Sequence, residues 1–146
     1  MQVREIMTRG VEMIDLDSKI CQAAEKMRSL NVGSLPVCEG DSIVGMLTDR
    51  DITIRAVADC KDPSQTSVSE VMTQGIIFCY EDDYIDDAAR MMEDKGIYRL
   101  LVLNNENEPC GFLSVCDFAV KSQDEHLTWE VVEKISEPAC PSRRSL

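Results

Sequence analysis

The sequence predicts an α+β fold made of two tandem copies of one β-α-β-β-α unit, packed on their sheets. Three observations lead there. The segment VREIMTRGV from Val3 recurs as VSEVMTQGI from Val68, an offset of 65 residues. The same offset carries Asp17 to Asp82, Ile20 to Ile85, Ala23-Ala24 to Ala88-Ala89, Met27 to Met92, Leu35 to Leu100 and Val37 to Val102. One extra loop residue then moves the offset to 66, which lays Gly45-Met-Leu-Thr-Asp-Arg-Asp51 over Gly111-Phe-Leu-Ser-Val-Cys-Asp117. A unit of three strands and two short helices cannot bury both its faces at this size, whereas two such units can share their sheet faces.

The elements follow in order. Asp17 or Ser18 is the expected cap of a first helix, because Ile20, Ala23, Ala24, Met27 and Leu30 then share one face at helical spacing. Ile85, Ala88, Ala89 and Met92 repeat that stripe, and the Ala-Ala pairs suit close packing of helix on sheet. Leu35 to Cys38, the turn residues Glu39 to Ser42, and Ile43 to Leu47 read as a strand hairpin. Leu100 to Leu103 and Cys110 to Ser114 give its counterpart across a loop from Asn104 to Pro109. A second helix is expected from about Asp51 to Asp59, with its twin starting near Asp117. The organisation predicted is therefore repeat 1 over 1–60, a proline-containing linker over 61–67, repeat 2 over 68–121, and a tail over 122–146. In the tail, Leu127, Val131, Val132 and Ile135 form a helical stripe that Pro138 and Pro141 end, fit to cap the module or join a dimer.

Composition narrows the function. The 146 residues carry 27 acidic against 15 basic side chains, a net charge of −12, which repels polyanions and speaks against nucleic acid as partner. No apolar run is long enough to span a bilayer and the N-terminal residues lack a signal peptide's apolar stretch, so a cytoplasmic protein without membrane attachment is expected. Seven cysteines stand singly and without a C-x-x-C pair, which reads mainly as buried thiols rather than a disulfide framework. A single histidine, His126, rules out a two-histidine metal centre, and no metal site is predicted; a cluster of Cys116, His126 and Cys140 across a dimer is the one metal alternative. No base and nucleophile pair, nucleophile elbow or Walker loop is recognisable, so no catalytic residues and no enzyme are predicted. Paired acids such as Asp82-Asp83 and Asp86-Asp87 sit where a helix start favours negative charge.

One segment carries binding chemistry. Gly45 to Asp51 closes a predicted strand and opens a predicted helix, where backbone N–H groups point outward. Thr48 can bond a phosphate or sugar oxygen, Arg50 can fork onto a phosphate, and Asp51 can accept from both hydroxyls of a ribose. The same residues also suit a plain helix cap with a solvated arginine, and the local pattern leaves both readings open.

The openings VREIMT and VSEVMT, the strands NVGSLPV and GIYRLLV, and the corners GMLTDRD and GFLSVCD resemble a pair of cystathionine-β-synthase (CBS) repeats over residues 1 to 121. That resemblance, to a stand-alone CBS pair or Bateman module, implies sheet-to-sheet packing with pseudo-two-fold symmetry and two ligand clefts shared between the copies. It implies a first cleft with Thr48, Arg50 and Asp51, apolar residues Ile76, Ile77 and Phe78, and the backbone beside Ile97. A second would use Ser114 and Asp117 with Thr8, Val11, Met13, Val32, Gly33 and Arg99. The implied function is a homodimeric regulatory module that requires no cofactor, senses an AMP- or ATP-type adenine nucleotide, with NADH or S-adenosylmethionine as other ligands, and acts on a separate effector protein. The second copy departs from the pattern: Cys116 stands in place of Arg50 and Leu101 in place of Pro36, so the first cleft is expected to bind more tightly. Two alternatives stand beside it, an interaction dimer with empty clefts and a sensor based on the thiol of Cys116 or on a metal.

Overall fold

The computed structural model describes residues 1–137. They form two compact units, but the chain is not divided at the repeat boundary: one unit is Glu12–Ile76, and the other joins Met1–Val11 to the chain from Ile77 onward. Each repeat therefore gives its opening segment to the unit built on the other repeat.

In the unit Glu12–Ile76, strand β2 (Ile14–Asp15) runs through helix α2 (Ile20–Leu30) into β3 (Ser34–Glu39), which pairs parallel with β2. A parallel pair needs such a crossover. β3 then turns at Gly40 into β4 (Ser42–Thr48), pairing from Ser34 with Thr48 to Glu39 with Ser42, and a register shift falls at Val37/Cys38. Helix α3 (Asp49–Ile52) continues as a π-turn over Thr53–Val57. The sheet is completed by repeat 2: helix α4 (Val68–Val71) leads into β5 (Thr73–Gln74), antiparallel to β4, giving the order β2-β3-β4-β5. Ile20, Ala23 and Met27 from α2 pack on Leu35, Val37 and Leu47, with Val68 and Val71 of the incoming segment in the same core.

The other unit repeats the plan. Helix α1 (Val3–Ile6) and β1 (Thr8–Arg9) join β6 (Phe78–Tyr80), α5 (Ile85–Lys95), β7 (Arg99–Leu103) and β8 (Pro109–Ser114) in a sheet of order β1-β8-β7-β6. The register shift recurs at Val102/Leu103, 65 residues after the first. Helix α6 (Val115–Lys121) places Phe118 in the core with Val3, Ile6, Met92, Leu100 and Leu113. Helix α7 (Glu125–Ser136) lies against α5 and α6 and buries Val131 and Ile135, two residues of the stripe expected to cap the module or join a dimer. Pro138, Pro141 and Cys140 lie outside the described residues.

Matching backbone bonds fix both exchanged segments. Val3 N–H donates to Asp83 O at 2.8 Å and Ile85 N–H to Met1 O at 3.1 Å; in the other unit Val68 N–H donates to Ser18 O at 2.8 Å and Ile20 N–H to Thr66 O at 2.9 Å. These bonds satisfy donors at each helix start that would otherwise be orphaned. They also shift the cap expected at Asp17 or Ser18. The cap is Lys19, whose N–H donates to Gln22 Oε1 at 2.9 Å, while Asp15 draws Asp17 N–H into a tight turn at 2.8 Å.

Three further expectations change. Each sheet has four strands rather than three, because the opening segments add an edge strand to the opposite copy. The second helices start at Asp49 and Val115, two residues earlier than expected, since Thr48 and Ser114 cap them. The thiols are mostly not buried: Cys79 alone of the described six is buried, and Cys60 and Cys116 are exposed. Burial pushes the Cys79 thiol up to about 12, with Asp83 and Cys110 nearby adding to the rise. The Ala-Ala pairs also part company: Ala88 and Ala89 are both buried under helix and sheet, whereas Ala24 is exposed on a face of α2 that has no counterpart of α7.

Candidate functional site

The strand-to-helix corner after β4 is a reciprocal cap. Asp51 N–H donates to Thr48 Oγ1 at 3.0 Å, and Thr48 N–H donates to Asp51 Oδ2 at 3.0 Å. This is the capping-box arrangement with aspartate as the third residue. It does more than cap, because Asp51 is only 6% exposed and its carboxylate also meets repeat 2. Thr73 on β5 donates its hydroxyl across both oxygens, at 3.3 and 3.4 Å. Arg55, one turn along the helix, holds Nη1 3.8 Å from Asp51 Oδ1 but spends that nitrogen on Met72 O at 2.9 Å and Val71 O at 3.1 Å. Arg50 is exposed at the second helical position.

The corner after β8 is built the same way in the other unit. Ser114 N–H and Oγ both donate to Asp117 Oδ2, at 2.8 and 2.9 Å. Thr8 Oγ1 on β1 donates to Asp117 Oδ1 at 3.1 Å, and Lys121 Nζ reaches the same oxygen at 3.0 Å. Asp117 is also 6% exposed. Burial works to raise its carboxyl, but the bonds from Lys121, Ser114 and Thr8 outweigh it and hold the group below the usual carboxylate range. A buried acid is tolerated here because every face of it finds a donor.

The residues predicted for binding are distributed as follows. Thr48, Arg50, Asp51 and Ile76 belong to the unit Glu12–Ile76, as do Met13, Val32 and Gly33; Ile77, Phe78 and Ile97 belong to the other, with Thr8, Val11, Arg99, Ser114 and Asp117. Of these, Thr48 joins Asp51, and Thr8 and Ser114 each join Asp117, through hydrogen bonds. Arg99 is the strand partner of Ser114 and its guanidinium stands 5.9 Å from the Phe112 ring centre. Gly33 O accepts Asp49 N–H at 2.9 Å, which sets the Val32-Gly33 backbone beside the first corner; Tyr98 O does the same for Val115 N–H at 3.1 Å beside the second. Met13 O accepts from Lys26 Nζ at 2.6 Å.

Three participants escape the sequence reading: Thr73, Arg55 and Lys121. Thr73 was recoverable from Thr8 by the offset of 65, and both bases lie four residues after their aspartates, the spacing of neighbours on a helix.

Two four-stranded units with exchanged opening segments and twin Thr/Ser-x-x-Asp corners define a tandem α+β repeat module. The chain belongs to the CBS-domain family: the family model "CBS domain" matches residues 3–57 and 68–123. Among the curated proteins it is similar to CBS domain-containing protein YhcV of Bacillus subtilis (strain 168), 34% identical over 134 residues, covering 92% of this chain and 94% of the relative. It is similar also to hypoxic response protein 1 of Mycobacterium tuberculosis, 31% identical over 136 residues, with 92% and 94% covered. Among solved structures, hypoxic response protein I with two coordinated zinc ions aligns with a TM-score of 0.71 at 30% identity, covering 82% of this chain and 97% of that one. The CBS domain pair of protein MJ0100, in complex with 5-methylthioadenosine and S-adenosyl-L-methionine, aligns with a TM-score of 0.71 at 25% identity, covering 82% and 93%.

Two chemical points bear on the site. Among the described residues of this chain, no group of three or more His, Cys, Asp or Glu side chains is placed to hold a metal ion; Cys140 of the metal alternative lies outside them. No described helix is long and apolar enough to cross a membrane.

Proposed function

We propose that this protein is a regulatory module that senses an adenosine-bearing ligand of the AMP/ATP class, with NADH and S-adenosylmethionine as the other ligands, and acts on a separate effector protein without catalysing a reaction. The observation that carries the reading is the Thr48, Arg50, Asp51 corner, where a buried carboxylate, a hydroxyl and an exposed guanidinium stand within one helical turn. A ribose offers two hydroxyl donors to the carboxylate, and a phosphate suits the guanidinium fork. The bound adenosyl ligands of the MJ0100 pair support the ligand class. Ile76, Ile77, Phe78 and the backbone beside Ile97 are assigned to the adenine of this ligand, and Thr8, Val11, Met13, Val32, Gly33, Arg99, Ser114 and Asp117 to a second, weaker site. The protein is assigned to the cytoplasm as a homodimer.

Transmission follows from the hydrogen bonds. Thr73 bonds both Asp51 oxygens at long distances, so ligand hydroxyls that fill the remaining sites draw on the same carboxylate that ties β5 to the corner. Occupancy thereby biases the seating of a segment that belongs to the other repeat, which is a differential contact of the kind a sensor requires.

Calorimetric titration with AMP, ATP, NADH and S-adenosylmethionine tests the reading on the wild type, Asp51→Ala and Asp117→Ala. Asp51→Ala is expected to weaken binding at least tenfold, about 1.4 kcal/mol, and Asp117→Ala to do less. Equal losses remove the inequality of the sites. A ligand at about 100 times its dissociation constant adds roughly 2.7 kcal/mol of stability, so an unmoved melting temperature with all four at millimolar concentration removes the sensing function.

A further inference from the structure

The two corners share a design but not a state of occupancy. An ionised carboxylate offers about four lone-pair sites. At Asp117 they are filled: Oδ2 takes the Ser114 N–H and hydroxyl, and Oδ1 takes the Thr8 hydroxyl and the Lys121 ammonium. At Asp51, Oδ2 takes the Thr48 N–H, and a single hydroxyl from Thr73 is shared over both oxygens at the long distances of 3.3 and 3.4 Å. That leaves roughly two of the four sites open, the number a vicinal diol requires.

Two donors make the difference: the Ser114 hydroxyl, which Thr48 does not match, and the base one turn on. Arg55 and Lys121 occupy corresponding positions, 66 residues apart, four residues after each aspartate. The guanidinium fork of Arg55 is drawn to the Val71 and Met72 carbonyls, at 3.1 and 2.9 Å, and stops 3.8 Å short of Asp51. The point-like ammonium of Lys121 settles on Asp117 at 3.0 Å instead.

We propose that Lys121 is an internal competitor for ligand hydroxyls at Asp117, so that the Ser114–Asp117 corner is self-occupied while the Thr48–Asp51 corner is open. This rests on the reading of both corners as ligand motifs, and it makes Lys121 a residue that sets which site a ligand can use. The side chain is 42% exposed, so its release from Asp117 opens the carboxylate without disturbing the core.

The test uses the full chain with the first corner disabled. Asp51→Ala and Asp51→Ala/Lys121→Met are titrated with AMP and with S-adenosylmethionine; the double variant is expected to bind about tenfold more tightly, the worth of one charge-assisted hydrogen bond no longer displaced. Asp51→Ala/Lys121→Arg, which puts at the second corner the kind of fork that Arg55 carries at the first, is expected to bind more tightly than Asp51→Ala as well, although the charge is kept. A ligand-independent measurement accompanies these: the Asp117 carboxyl, followed by carbon NMR in the free protein, should titrate at higher pH in Lys121→Met than in the wild type. Thr8, Ser114 and Lys121 are the groups bonded to it, and Lys121 is the charged one among them. An unmoved Asp117 titration overturns the proposal, as does equal affinity of Asp51→Ala and Asp51→Ala/Lys121→Met. If the double variant binds neither probe while the wild type binds through Asp51, this inference falls and the sensing function stands. A wild type and a double variant that both bind neither probe remove the two together.

Discussion

A carboxylate held 6% exposed is tolerated only where its charge is met, and the chain meets it twice with different chemistry. Asp117 has an ammonium on one oxygen, whereas Asp51 has hydroxyl and amide donors with a guanidinium set back. The folded state holds the Asp117 carboxyl below its ordinary range, so the unfolded chain binds its proton more readily than the native one. The stability this contributes is fully present above the unfolded value of about 3.9 and is lost as pH falls through the depressed native value. Asp117→Asn is therefore expected to destabilise the ligand-free protein by about 1–3 kcal/mol at pH 7, the cost of disturbed bonds to a charged group. The difference from wild type should shrink steadily in urea melts taken from pH 4 downward. A difference that stays constant to pH 2 would show that Asp117 titrates alike in both states. Thr48, Arg50 and Asp51 were legible in the sequence because they lie within four consecutive positions. Thr73 and Lys121 were not singled out, since the first acts through a bond across 22 positions and the second differs from Arg55 in where its charge rests.

The hairpins and first helices were legible to within a residue or two, because alternation and the i, i+3, i+4 stripe are local properties of the chain. The fourth strand of each sheet was not. Strands β1 and β5 are two residues long, too short for any period, and their pairing is decided by a glycine on the neighbouring strand. A Cβ built on Gly45 would stand 2.4 Å from Thr73 O, and one on Gly111 2.5 Å from Thr8 O, closer than a side chain can approach a carbonyl. These glycines open the repeated motifs because an edge strand crosses over them, a backbone approach that glycine alone allows. Gly45→Ala is expected to push β5 off β4, lowering stability by about 1–3 kcal/mol, the usual cost of overpacking. Amide exchange should quicken at Gly75, whose N–H donates to Val44 O at 3.1 Å across that edge. Protection unchanged at Gly75 in Gly45→Ala would mean that the edge accommodates a methyl group. The difference between the copies has an element-level reading too: β6 pairs Phe78 with Leu101, whereas the first copy has Pro36 at that place, without an N–H, and β2 begins one position later.

At the scale of the whole molecule, the offset of 65 correctly announces two copies but does not say which residues each compact unit contains. Self-similarity is blind to exchange, since a segment looks the same whether it packs on its own repeat or on the other. The opening segments are not decoration. Val3, Ile6 and Met7 enter one core, and Val68 and Val71 enter the other. Each such buried side chain is worth about 1.5–3 kcal/mol, against a typical whole-domain stability of about 5–15 kcal/mol. Removing one opening segment thus takes away a share comparable to the total, along with an edge strand and the donors and acceptors at a helix start. Cutting the chain between the repeats, into 1–62 and 63–146, severs both exchanges at once. Neither fragment alone is expected to show a cooperative thermal transition, because 1–62 lacks α4 and β5 and 63–146 lacks α1 and β1. Mixed in equal amounts, the two should regain a single transition, its midpoint rising with fragment concentration as association demands. Fragment 1–62 melting cooperatively on its own at the midpoint of the intact protein would mean that the exchanged segments are not what completes each core.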